Sequence, residues 1–79
     1  MTVSTHTPEY SQLVSILKQA RLDAGLTQQE VADRLRKPQS YVAKLENAER
    51  RIDIIEFIDL AKALNIDPKL LFEGVLKGT

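Results

Sequence analysis

The most pointed chemistry in this 79-residue chain is carried by Gln39, Ser40 and Lys44. Lys44 follows the other two by five and four positions, so all three lie on one side of any helix that carries them. A carboxamide can bridge N6 and N7 of adenine, an ammonium can donate to O6 and N7 of guanine, and a hydroxyl can bond to either kind of edge. Such side chains suit the reading of base edges and make poor core residues. Taken alone, they also fit an exposed polar face with no partner.

Other chemistries have little material. The chain has no cysteine, which removes disulfides, thiol catalysis and thiolate metal sites together. Its one histidine, His6, falls near the N-terminus in a stretch without apolar period. General acid–base work requires a perturbed pair of groups in a cleft, and a chain of this length leaves little room for one. Neither an enzyme nor a bound metal or cofactor is expected.

The helical period supplies the elements that must position the polar triad. Leu13, Leu17, Ala20 and Ala24 mark one face of a first helix beginning near Tyr10, closed by Gly25. Thr27 with Glu30 has the capping-box spacing and opens a second helix over about 28–35, with Val31, Ala32 and Leu35 inward. Pro38 blocks its continuation and starts a third, about 38–47, burying Val42 and Leu45. Asp53 caps a fourth, about 54–64, and Asp67-Pro68 starts a fifth, about 68–77. No segment alternates at period two for long enough to make a strand. The expected fold is all-α, with residues 1–9 a mobile tail and 10–79 one folded domain. Two helices joined by Arg36-Lys37 have the dimensions of a helix-turn-helix, although periodicity alone also allows a generic small bundle.

Apolar residues make up 43% of the chain and charged ones 28%, as in ordinary soluble proteins. No apolar run approaches the roughly 20 residues of a membrane span, nor does the N-terminus read as a secretion signal, so a cytoplasmic protein is expected. The net charge of zero conceals a gradient. Residues 18–51 hold eight Lys/Arg against five Asp/Glu, whereas residues 52–79 hold three against five. The bases crowd around the polar triad, at Arg34, Arg36, Lys37, Lys44, Arg50 and Arg51.

The run from Gly25 through Gln28 to Ala32, followed by Pro38 to Asn47, Glu49-Arg50-Arg51 and Phe57 to Leu64, resembles the XRE family, which takes in the phage Cro and repressor DNA-binding domains. The resemblance implies a compact five-helix bundle whose second and third helices form the helix-turn-helix, with the third helix in the DNA major groove. It implies base reading by Gln39, Ser40 and Lys44. Phosphate contacts would come from Gln28, Lys37, Tyr41, Asn47, Arg50 and Arg51, with Arg36 a further candidate. Gln28 would sit where free amides and the helix dipole favour an anion. Arg21 and Glu46 match a structural ion pair of the family. Two departures stand out: Arg36 and Ala48 replace glycines common in the family, which puts the local backbone there in question.

One recognition helix reads only a few base pairs, so a homodimer on an inverted repeat is expected. Its interface is expected to include Ile54, Ile58, Leu71, Phe72 and Val75, where apolar surface exceeds what one core stripe needs. Alternatively, the fifth helix packs back on the first and completes the monomer. A protein-interaction adaptor with weak or no DNA binding, such as the partner of a toxin, is the rival function, kept open by the zero net charge. Among DNA binders, the residues leave open a stand-alone repressor, an antitoxin and a restriction–modification controller.

Overall fold

The structure, a computed structural model, describes residues 7–77; residues 1–6 of the expected tail, His6 among them, lie outside the described residues. Five helices follow one another: α1 (Pro8–Asp23), α2 (Gln28–Leu35), α3 (Gln39–Glu46), α4 (Ile54–Ala63) and α5 (Pro68–Lys77). Among the described residues there is no strand, in keeping with the all-α expectation.

Local chemistry sets the helix ends. α1 opens two residues earlier than its apolar period suggests. The Thr7 hydroxyl accepts from the Tyr10 amide at 3.1 Å, and Pro8 takes the first helical turn, where a missing N–H costs nothing and φ is preset. Glu30 and Thr27 form the reciprocal capping box expected of them, at 2.9 and 3.1 Å. Asp53 and Glu56 form a second such box at the start of α4, at 3.0 and 2.7 Å. Pro38 proves to be the cap of α3 rather than its first residue.

Four helices leave by the same route. Gly25, Arg36, Ala48 and Asn65 all have positive φ, between 57° and 72°. In each case that residue's amide and the next return to carbonyls of the last turn, as with Arg36 to Asp33 at 3.1 Å and Lys37 to Ala32 at 2.9 Å. Such exits satisfy orphan carbonyls but favour glycine. The family turn is therefore kept at Arg36 and Ala48 without the glycine, at a cost of roughly 1–2 kcal/mol for each left-handed residue.

The core is aliphatic apart from Phe57 and Tyr10. Leu17 of α1, Val31 and Ala32 of α2, Val42 of α3, Phe57, Leu60, Ala61 and Leu64 at α4, and Leu71 of α5 form one buried cluster. Arg34 clips α2 to the far end of α4 by donating to the Ala63 carbonyl at 2.7 Å. α5 packs on both α1 and α4, and a Cβ added at Gly74 would lie 3.9 Å from Ile16 of α1.

That packing corrects one expectation. Leu71, assigned to a dimer face, is 6% exposed and belongs to the monomer core. Residues adjacent on a helix diverge by about 100°, so turning Leu71 inward forces Phe72 to the rim. Phe72 meets Phe57 edge to face with ring centroids 6.3 Å apart, and remains 47% exposed. Ile54, Ile55, Leu70 and Leu76 are also exposed, whereas Ile58 and Val75 are half-buried.

Candidate nucleic-acid interface

α2 and α3 are joined by the three-residue turn Arg36 to Pro38 and packed through Val31, Ala32, Val42 and Leu45, all buried. Burial of Val42 and Leu45 turns the opposite side of α3 outward. Gln39, Ser40 and Lys44 are all exposed there.

A chain of hydrogen bonds ties this face to the interior. Gln39 Nε2 donates to Gln28 Oε1 at 2.6 Å, and Gln28 Nε2 donates to Glu46 Oε1 at 2.9 Å. Glu46 also receives Arg21 through Nε at 2.6 Å and Nη2 at 2.9 Å. Arg21 Nη1 donates to the Leu26 carbonyl at 2.7 Å, and its side chain is only 10% exposed. The expected ion pair is therefore present as a bidentate fork, the stronger geometry for such pairs. Its hydrogen bonds to Glu46 hold the Arg21 guanidinium above its ordinary pKa.

Beside the triad lies a groove of about 320 Å³ lined by Lys37, Pro38, Ser40, Tyr41, Lys44 and Arg50. Its floor is the Tyr41 ring, with Arg50 Cζ 4.6 Å and Lys37 Nζ 5.3 Å from the ring centre, within cation–π range. The Tyr41 hydroxyl donates to Glu56 Oε2 at 2.9 Å, and Arg50 Nη2 donates to the same oxygen at 2.8 Å. Arg50 Nη1 donates to the Arg51 carbonyl at 2.8 Å. Arg50 above all, and then the Asp53 amide, pull the Glu56 carboxyl down to about 2. Burial first, and then the hydrogen bond to Glu56, push Tyr41 up to about 12. The cleft thus presents the cations of Lys37, Lys44 and Arg50 and the Ser40 hydroxyl, a set suited to a phosphodiester, while the Tyr41 O–H is spent on Glu56.

The other residues singled out from the sequence are more spread. Asn47 caps the far end of α3 and is exposed. Arg51 lies over the Tyr10 ring of α1, 5.1 Å from its centre. Sequence reasoning missed Glu56, which gathers Tyr41, Arg50 and Asp53; its one signal was the three-residue spacing from Asp53. It also missed Tyr10, whose hydroxyl donates to the Arg50 carbonyl at 2.8 Å across forty positions of chain. Among the described residues, no group of three or more His, Asp or Glu is placed to hold a metal ion, and no helix is long and apolar enough to cross a membrane.

A helix-turn-helix family model matches residues 17–71, well over half of the chain. Among solved structures, the chain is similar to an XRE-family-like protein from Pseudomonas syringae pv. tomato. The two share 46% identity with a TM-score of 0.87, over 94% of this chain and 90% of that one. It also shares its fold with the wild-type restriction-modification controller protein C.Esp1396I, at 23% identity and a TM-score of 0.85, over 92% of this chain and 96% of that one. The C.Esp1396I tetramer in complex with its natural 35 base-pair operator gives the same values. A comparison with curated proteins gave no match. The chain belongs to the XRE family of helix-turn-helix proteins, a family of DNA-binding transcriptional regulators.

Proposed function

We propose that this protein binds an inverted-repeat operator as a homodimer, with α3 of each protomer in the major groove. Gln39, Ser40 and Lys44 read base edges. Gln28, Lys37, Tyr41, Asn47, Arg50 and Arg51 hold the phosphate backbone on either side. The observation that carries this reading is the outward face of α3. Three base-competent side chains project there from a helix anchored by Val42 and Leu45, and the Lys37, Tyr41 and Arg50 groove lies alongside. Phosphate contacts would set position and supply affinity while the triad supplies choice.

Two observations support pairing. Ile54, Ile55, Phe72 and Leu76 are exposed, and an apolar groove of about 160 Å³ between Leu13, Ile52, Ile54, Phe57, Phe72 and Val75 adjoins them. Two protomers of 32 × 25 × 20 Å are also the right size to sit on one DNA face with recognition helices about 34 Å apart. Leu71 has no part in that interface, being buried within its own protomer. The operator complex of the similarly folded C.Esp1396I supports the choice of ligand.

Selection of bound duplexes from a random pool tests the reading. Recovery of an inverted repeat is the expected outcome. Failure to enrich any duplex, even in dilute buffer, would overturn it and favour the adaptor function.

A further inference from the structure

The loop between α3 and α4 carries Arg50 and Arg51 and has no helical ladder to hold it, so its carbonyls need outside partners. The Arg50 carbonyl finds one in Tyr10, whose hydroxyl donates to it at 2.8 Å. Tyr10 is itself firmly placed: it is 6% exposed, and its own amide is bonded to the Thr7 cap at 3.1 Å. Burial pushes its phenol up, against the opposing pull of the Ile52 amide and the Arg51 charge, so the group stays a donor. Its ring lies beneath the Arg51 guanidinium.

Arg50 is thereby gripped at both ends. Its backbone is fixed to the first turn of α1, and its guanidinium rests on the Glu56 carboxylate, the Arg51 carbonyl and the Tyr41 ring. A guanidinium has five N–H donors, so several remain for an incoming anion. Holding such a group in place before binding removes the ordering cost that a free side chain would meet.

We propose that Tyr10 is a positioning residue for the DNA-backbone contact, fixing the α3–α4 loop so that Arg50 meets a phosphate at a preset place. The inference rests on the reading of Arg50 as a phosphate partner given above. It assigns Tyr10, on the helix farthest in sequence from the loop, a part in affinity but none in base choice.

The test is a double-mutant cycle on Tyr10→Phe and Arg50→Gln. Binding to a labelled duplex of mixed sequence is followed by fluorescence anisotropy across a salt series. The Phe ring preserves the core contact and the seat of Arg51. Circular dichroism at the assay temperature confirms that each variant is folded. Tyr10→Phe should weaken binding by about threefold to tenfold, the usual range for one hydrogen bond. The slope of log affinity against log salt should become shallower by up to ~0.9, the value of one phosphate contact. Preference between duplex sequences should not change. Added to Arg50→Gln, the Phe substitution should cost nothing further.

If Arg50→Gln weakens binding and Tyr10→Phe leaves affinity and slope unchanged, the positioning role is overturned while the phosphate reading stands. Simple addition of the two losses would overturn that role equally. An Arg50→Gln variant that binds like the parent overturns both together.

Discussion

Removing Glu46 should cost this small domain a large part of its stability. Glu46 accepts from Arg21 Nε at 2.6 Å and Nη2 at 2.9 Å, and the Arg21 side chain is 10% exposed. In Glu46→Leu the guanidinium keeps only the Leu26 carbonyl, at 2.7 Å, and lies buried without a counter-charge. Losing one partner of a buried pair costs about 3–5 kcal/mol. At roughly 0.05–0.15 kcal/mol per residue, the whole domain is worth about 4–12 kcal/mol, so a quarter or more would go. Replacing both partners, as Arg21→Met with Glu46→Leu, removes charge and desolvation together and should restore most of the loss. Urea titration followed by circular dichroism is the assay. With a slope of about 1 kcal/mol/M for so short a chain, the single variant's midpoint should fall by about 3 M or vanish. A loss below about 1 kcal/mol in Glu46→Leu would mean that water reaches Arg21, and would refute the buried-pair argument. So would a double variant no more stable than the single one.

Four further outcomes are expected. Ala48→Gly should stabilise the protein by about 0.5–1 kcal/mol, because φ of 57° strains alanine and not glycine. The melting temperature should then rise by roughly 4 °C, and a fall would show that the loop strain is misjudged. Glu56, lowered from its ordinary 4.5 to about 2, contributes stability that is complete above 4.5 and lost as pH falls through that window. The gap in urea midpoint between parent and Glu56→Gln should therefore close on acidification; a gap independent of pH would refute the assignment. Lys44→Ala should relax the choice among sequences, whereas Asn47→Ala should weaken all duplexes alike, as competition binding would show; equal effects from the two would end that division. Finally, Phe72→Glu should give folded monomers in sedimentation equilibrium. Leu71→Ala, by contrast, should unfold the domain more easily by about 2–5 kcal/mol, with self-association unchanged whenever it is folded. The reverse pattern would return Leu71 to the interface.

What could be seen in the sequence was what neighbours along the chain decide. Thr27 and Glu30 are three residues apart, so their reciprocal bonds follow from spacing, as does the stop imposed by Pro38. The same logic should have recovered Pro8 as a helix opener and Asp53 with Glu56 as a second box, since both signals are local. Side-chain meetings across the fold were another matter. Arg21 and Glu46, twenty-five apart, were legible only through family resemblance, and nothing local announces that Tyr10 will reach the Arg50 carbonyl. Leu71 was misjudged because an apolar run of three on a helix cannot show which member points inward until its neighbours are packed.

The bond from Gln39 to Gln28 has a consequence for any attempt to retarget the protein. With Nε2 of Gln39 committed to Gln28 Oε1, the amide cannot swap its two ends freely. The polarity of this reader is therefore dictated from inside the fold, through Gln28 and Glu46. Exchanging Gln39 alone would take away the side chain that Gln28 orients, so a new specificity at this position calls for the two glutamines to be redesigned as one.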